Sequence, residues 1–427
     1  YKPTVFEKNA VPGGMLVYGI PSFKLEKNII AAEIDIIKEM GVEIKCGVEV
    51  GKDITIAQLR EQGYKAFYIA IGCQGGRKAG VPGEDAEGVM TGVDFLRAVG
   101  DNENYKLPGK TVVVGGGNVA IDVARCAVRC GSSEVSMVCL ETRDIMPASP
   151  EEIAEAEGED IKINCGWGPK EVVVKDGKVT GITFKKCVSV KDADGKFNPK
   201  YDEAQTITID CDHVLLSIGQ SILWNTLLDG TKVELGRGKG AVADPITYQT
   251  AESDIFTGGD VYTGPKFVID AIAAGKEGAL SIHKFVHAGN SLTIGRNLRK
   301  FVELDKDNID VPQYDNTSRQ IPAIDETIDQ KKSFRDVRKP FTEEQVRKET
   351  ARCLGCGASV VDPNKCVGCG VCTTKCAFDA IHLERVHPEA SHMYKSEDKM
   401  KAILPYMLKR EIKITFSGKK TKPAPQK

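Results

Sequence analysis

The chain has 427 residues, a formal net charge of −2, and 41% hydrophobic, 28% charged and 6% aromatic residues. A chain of this length divides into two or three domains, and nothing in it is apolar for long enough to cross a bilayer. Its near-neutral charge gives no field that would gather nucleic acid or anionic lipid.

The first residues lack a basic segment followed by an apolar core, so no secretory signal is predicted. Residues 2–7 (KPTVFE) read as a short strand ending in Glu7, and 12–23 (PGGMLVYGIPSF) as a glycine-rich loop. Residues 25–41 place apolar side chains at helical spacing and stop on Gly41, after which 42–50 alternate like a strand. Residues 64–73 (YKAFYIAIGC) read as a buried strand closing on Gly72, and 83–100 as a loop leading into a short helix. From Lys110 the order is strand, glycine turn, helix 118–131, strand 134–141 and acidic helix 149–160, a βαβ unit. Between Ile161 and Asp210 the period falls to two, with turns at 175–178 and 192–196, which predicts an antiparallel meander beside the parallel sheet. Residues 212–220 give another buried strand ending in Gly219, and 253–286 give strand, loop and long helix. After Gly289, charges and prolines predict an extended arm with little core, then a short helix at 342–353 and a disordered end at 417–427.

TVVVGGGNVAID, Thr111 to Asp122, has the spacing of a dinucleotide turn. Gly115 and Gly117 let a pyrophosphate approach the backbone, Ala120 lets helix and strand pack closely, and the helix start offers free amides to the anion. Gly116, Asn118 and Val119 complete the turn. Glu141, about 20 residues on, suits the ribose hydroxyls and repels a 2′-phosphate, which favours NAD(H) over NADP(H); Arg143 beside it would act the other way.

VFE at Glu7, GGMLVYGIP, YIAIG, LLSIG and IFTGGD occur in this order. In that order they resemble the glutamate synthase small-subunit family and its relatives among electron-bifurcating ferredoxin:NAD(P) oxidoreductases. The resemblance covers about two thirds of the chain. It implies an α/β protein with two Rossmann-like domains: an FAD domain split into 1–102 and 241–290, and an inserted NAD(P) domain at 103–240. An arm at 291–345, a ferredoxin-like iron–sulfur segment at 346–395 and a tail at 396–427 follow. By the same resemblance Glu7 binds the FAD ribose, while Gly13, Gly14, Tyr18, Gly19, Ile20 and Pro21 line the flavin. Ala70, Gly72, Gly219, Gly259, Asp260, Lys266, Phe267 and Val268 approach the rest of the cofactor. The family's first strand, phosphate loop and first helix would precede Tyr1, so the FAD domain is expected to be N-terminally incomplete here.

Cys353 and Cys356 precede Cys366, Cys369, Cys372 and Cys376, whose C-x2-C-x2-C-x3-C run is that of bacterial ferredoxins. Paired C-x2-C knuckles also hold zinc, but three close thiols and a fourth fit a 4Fe-4S cluster better. Two such clusters need about eight thiolates and the segment offers six. One cluster is expected, a second needs a ligand from elsewhere, and the spacing leaves open which of Cys353, Cys356 and Cys376 completes the first. The other eight cysteines are scattered singly, as in a reducing compartment. Cys126 and Cys130, four apart, are not a redox C-x-x-C and read as structural thiols.

These elements together imply an NAD(P)H-dependent flavoprotein subunit that passes electrons between nicotinamide, FAD and iron–sulfur within a hetero-oligomeric redox complex, with ferredoxin among the candidate partners. The expected setting is the cytoplasm of an anaerobic prokaryote. No catalytic acid or base is required, because hydride transfer to a flavin needs none. The alternatives are a glutamate synthase small-subunit homologue feeding an amidotransferase, and a scaffold with vestigial nucleotide sites.

Overall fold

A computed structural model describes residues 1–287, 289–296, 317–353, 361, 366–375, 381–384 and 394–416. They fall into two units, Tyr1–Arg352 and Cys353–Lys427.

The first unit opens with β1 (Thr4–Glu7), followed by α1 (Met15–Tyr18), α2 (Lys27–Glu39) and β2 (Glu43–Cys46), which pairs in parallel with β1. α1 lies inside the stretch read as a loop. Its four residues are too few to carry a periodic signal, and it begins at Gly14, whose φ of +53 suits glycine. α2 ends as expected before Gly41, at φ +92. α3 (Ile56–Glu61) starts from a reciprocal cap, Thr55 with Gln58. β3 (Phe67–Ile69) pairs in parallel with the distant β14 (Ile255–Thr257). The strands of this part therefore form two separate pairs.

β4 (Gly75–Gly76) leads to β5 (Val89–Thr91), α4 (Gly92–Asp101), β6 (Gly109–Val114), α5 (Asn118–Arg129), β7 (Ser132–Cys139), α6 (Pro150–Gly158) and β8 (Lys162–Cys165). β9 (Trp167–Lys175), β10 (Lys178–Lys191) and β11 (Phe197–Asp210) follow, then β12 (His213–Leu216) and β13 (Gln220–Ser221). β5-β12-β6-β7-β8 make a fully parallel sheet, and β11-β10-β9 make the antiparallel one. Val89–Thr91 falls in the stretch expected to be loop; three residues give no period of their own, and the strand exists only through its pairing with β12.

Alternation along buried strands builds three layers. Val113, Met137 and Leu215 face α4 and α5, where they meet Phe95, Ile121, Val123 and Ala127. Val112, Val114, Val138 and Leu216 face the antiparallel sheet, where they meet Val172, Ile182 and Phe184. The expected meander is thus a lid on the back of the parallel sheet. A separate core joins Ile56, Ile69 and Ile255 to Ile222, Trp224 and Ala241.

After β14 come α7 (Asp260–Thr263), α8 (Val268–Val286) and α9 (Glu343–Ala351). The arm, expected to have little core of its own, is anchored in that of its neighbours: Phe334 is buried in the helix-side core against Phe23, ring centroids 6.4 Å apart. Arg129 donates through Nε to the Ser333 carbonyl at 2.8 Å. One aromatic in a charged, proline-rich stretch leaves no periodic trace, which is why sequence alone missed it.

In the second unit, α10 (Val371–Lys375) lies within the cysteine run, and α11 (Lys399–Phe416) occupies most of the segment read as tail. The predicted disordered end, 417–427, lies outside the described residues.

Behind α5, Arg125 and Arg129 share the buried carboxylate of Glu159 at 2.6–3.0 Å. Removing one partner of a buried ion cluster strands the others. Glu159→Ala should therefore lower stability by about 3–5 kcal/mol, read as a lower thermal midpoint; an unchanged midpoint would show that the arginines re-solvate.

Candidate functional site

β6 ends at Val114, and the chain turns through Gly115 at φ +144, whose amide donates to the Val138 carbonyl at 2.8 Å. A Cβ on Gly115 would lie 2.4 Å from the Ser217 carbonyl oxygen and 3.2 Å from the Ala120 methyl. A side chain does not fit there. Gly117 caps α5 with no side-chain hydrogen bond, and a Cβ there would meet nothing within 4 Å. The first amides of a helix have no intrahelical acceptor, so this end offers an open cradle for an anion, reinforced by the helix dipole. The Asn118 side chain is turned to the start of α6: its Oδ1 accepts from the Ser149 amide at 2.9 Å, while the Gly116 carbonyl accepts from the Ala148 amide at 3.1 Å. These bonds tie the turn to the start of α6. Sequence reading missed them because they depend on a loop about 30 residues away.

Glu141 comes to the same place. A Cβ on Gly116 would be 3.0 Å from Glu141 Oε2 and 2.9 Å from the Cys139 Cβ, so the carboxylate lies beside the turn. Arg143 is held elsewhere, paired at 2.8 Å with Glu157 with both side chains about half exposed. Val119 and Ala120 lie in the first turn of α5, Ala120 fully buried.

Glu7 closes β1, and its Oε1 accepts from the Asn9 amide at 2.8 Å and from Asn9 Nδ2 at 2.7 Å. Arg97 Nη2 donates to Asn9 Oδ1 at 2.5 Å, and its guanidinium lies 4.6 Å over the Tyr18 ring. Gly13 (φ +127) and Gly14 turn the chain so tightly that a Cβ on Gly13 would sit 2.6 Å from a Val17 methyl. The Tyr18 hydroxyl donates to the Val11 carbonyl at 3.3 Å. After Gly19, the Ile20 carbonyl accepts from Lys27 Nζ, which also donates to Leu16 at 2.9 Å. Burial pushes the Lys27 pKa down to about 8. Pro21 closes the loop, its carbonyl accepting from Lys24 at 3.0 Å.

Gly14 approaches the residues that follow β3, a Cβ on it lying 3.9 Å from Gln74 Nε2. Ala70 and Gly72 (φ +67) follow that strand, and Gly259 (φ +68) and Asp260 follow its partner β14. Thr257 Oγ1 donates to the Ile69 carbonyl at 3.2 Å, so the two strand ends are stitched together. Asp260 Oδ1 accepts from the Lys266 amide at 3.2 Å, and partial burial raises its pKa. Phe267 and Val268 open α8 and are exposed. Gly219 (φ +118) lies at the crossing between the two parts, next to the Arg77 side chain.

Cys353, Cys366, Cys369 and Cys372 are exposed; Cys356 and Cys376 lie outside the described residues. Among the described residues no three potential ligands gather as a metal group. Gly368 (φ +67) and Gly370 (φ +75) turn the backbone between the thiols, and thiolates are the donors iron–sulfur clusters take.

The family model described as pyridine nucleotide-disulphide oxidoreductase matches residues 27–275, and that described as a 4Fe-4S binding domain matches residues 359–382. The chain belongs to the pyridine nucleotide-disulphide oxidoreductase family. As a member of it, the chain carries a dinucleotide-binding oxidoreductase fold joined to a 4Fe-4S binding domain. The beta subunit of the NADP(+)-dependent formate dehydrogenase of Moorella thermoacetica is 36% identical over 83% of this chain and 51% of that protein. The small chain of the NADPH glutamate synthase of Halomonas elongata is 33% identical over 65% of this chain and 61% of that protein. The chain thus spans between half and two thirds of the length of these relatives. Among solved structures, Mycobacterium tuberculosis FprA in complex with NADPH shares the fold, with a TM-score of 0.56 and 18% identity over 66% of this chain and 77% of that one.

The disulphide in the family's name finds no redox pair on α5. Cys126 and Cys130 are both buried, and burial pushes the Cys126 thiol well up and that of Cys130 to about 11. Neither is poised as a nucleophile. No helix among the described residues is long and apolar enough to cross a membrane.

Gly115→Ala would force a side chain into the Ser217 carbonyl at a φ that strains non-glycine residues. The expected result is at least a ~10-fold loss of nicotinamide affinity with flavin content retained, measured by titration of the purified protein. Unaltered affinity would remove this turn from the dinucleotide site.

Proposed function

We propose that the chain is the NADH-linked flavoprotein subunit of a multi-subunit redox complex. It takes electrons from nicotinamide through FAD to a 4Fe-4S cluster, or runs the same path in reverse. The observation that carries this reading is the open glycine cradle of Gly115–Ala120 with the Glu141 carboxylate beside it. A flavin, when bound, converts between the hydride of a nicotinamide and the single electrons of an iron–sulfur cluster.

Gly116, Gly117, Asn118 and Val119 present amides to the pyrophosphate, Gly115 supplies the tight turn that brings them there, and Glu141 accepts from the ribose hydroxyls. A 2′-phosphate would meet this carboxylate, while Arg143 is engaged by Glu157; both favour NAD(H), although the two relatives above carry NADP(+) and NADPH in their names. Glu7, with one oxygen held by Asn9, offers the other to the FAD ribose. The Gly13–Pro21 loop, Ala70, Gly72, Asp260 and the start of α8 surround the rest of the flavin. Cys366, Cys369 and Cys372 hold one cluster, with a fourth thiolate from Cys353, Cys356 or Cys376.

A glutamate synthase role is the second reading, supported by the likeness to that enzyme's small chain. The match to the formate dehydrogenase subunit reaches over 83% of the chain, against 65% for the glutamate synthase subunit, and favours the first. The anaerobically purified assembly should contain about four iron atoms for each chain beside its flavin, and NADH should bleach that flavin faster than NADPH. Glu141→Gln should narrow the preference by ~10-fold or more, since one charge-assisted pair and one repulsion are lost. Equal bleaching by both nucleotides in the parent would contradict the assignment to NADH.

A further inference from the structure

The chain passes between its flavin part and its nicotinamide part at Gly75–Gly76 and at Gln220–Ser221, not at the expected 102 and 240, because β5 and α4 join the parallel sheet while Ile222 and Trp224 join the flavin-side core; the two passages pair as a short antiparallel ribbon. The two strands are only two residues long each, so the ribbon by itself ties the two parts together weakly. α4 meets the flavin-lining residues through Arg97, which bonds Asn9 and lies over Tyr18, and a further contact reaches α5 itself. The loop that follows Gly13–Pro21 reaches across and seats Phe23 in the nicotinamide part, where it is 5% exposed.

Arg125 and Arg129 of α5 lie over the Phe23 ring, 4.7 and 4.0 Å from its centroid, and Phe334 of the arm closes the remaining side. Glu159, just beyond α6, pairs with both guanidiniums and holds them over the ring. The next residue, Lys24, pairs with Asp122 of α5 and Glu152 of α6. Lys27, the first residue of α2, turns back to the carbonyls of Leu16 and Ile20. Residues 23–27 thus grip the flavin-lining backbone with Lys27, and with Phe23 and Lys24 grip the helix whose first turn is the dinucleotide cradle.

We propose that Phe23 and Lys24 are positioning residues that fix α5, and with it the nucleotide held at Gly115–Ala120, at one distance and angle from the flavin-lining loop. The proposal rests on the two nucleotide sites assigned under the proposed function. The step being positioned moves two electrons and one proton together as hydride, from the dihydronicotinamide, which becomes NAD⁺, to the flavin ring. Its rate falls steeply with misplacement, about 10²-fold for roughly 1 Å, while the contacts assigned to the pyrophosphate and ribose, Gly115–Ala120 and Glu141, lie within the nicotinamide part. Loosening the clamp therefore costs rate and leaves binding alone.

The test uses the full chain in its native assembly, purified without oxygen, with Lys24→Gln, Phe23→Leu and the conservative Lys24→Arg. Hydrogen exchange without nucleotide gives the first readout: residues 21–27 should exchange ~10-fold faster in Lys24→Gln and Phe23→Leu, with β6 and β7 unchanged. Rapid-mixing flavin reduction by NADH gives the second. The same two variants should be slowed ~10- to 100-fold, with flavin content intact and the NADH dissociation constant within about twofold, and Lys24→Arg should recover most of the rate. Parental exchange and parental rates in both variants would overturn the proposal. So would a matching fall in NADH affinity or flavin content in both, since the loop would then be a folding element. If NADH fails to reduce the parent, the functional reading falls instead, and the exchange of residues 21–27 alone decides whether the clamp exists.

Discussion

The structure turns on the close approach of backbone to backbone where β6 becomes α5. Gly115 passes so near the Ser217 carbonyl that no side chain fits, and Ala120 packs against it from the helix. That approach fixes the axis of α5 against the parallel sheet and leaves its N-terminal amides uncapped and open. An anion is the natural occupant of such a helix end. The fully buried Val113, Ile121 and Val123 hold the helix there, so the cradle is rigid before any ligand arrives.

Around this turn the charges are sorted by environment. Glu141 sits at the cradle, where it can meet ribose hydroxyls, while Arg143 is drawn off to Glu157 near the surface. Glu159 lies on the far side of α5, buried between Arg125 and Arg129 and making hydrogen bonds to both. Buried ion clusters contribute little net stability compared with apolar packing, but they dictate geometry, because each member is costly without the others. Here they fix two guanidiniums as a flat seat for Phe23, so the polar cluster and the aromatic insertion depend on each other.

The βαβ unit around Gly115 and the antiparallel lid were legible in the sequence because their signals are local: buried valines into glycines into an amphipathic helix, then a period of two broken by Asp-Gly turns. Glu141 was legible by its spacing from the turn. What escaped was decided by partners far along the chain. Val89–Thr91 is a strand only because β12 lies beside it, and Met15–Tyr18 forms a single helical turn between a strained glycine and the Lys27 ammonium. Phe334 stands alone among charges, and its burial depends on Phe23 some 300 residues earlier. For α11, the apolar residues at Met400, Ile403, Leu404, Met407 and Leu408 do carry a helical spacing.

Electron passage from nicotinamide to the late thiolates is the central claim, and low-temperature electron paramagnetic resonance tests it most directly. The anaerobic native assembly, mixed with NADH and frozen, should develop the signal of a reduced 4Fe-4S cluster. An assembly that gives this signal with dithionite but stays silent with NADH, while its flavin bleaches, would contradict the account.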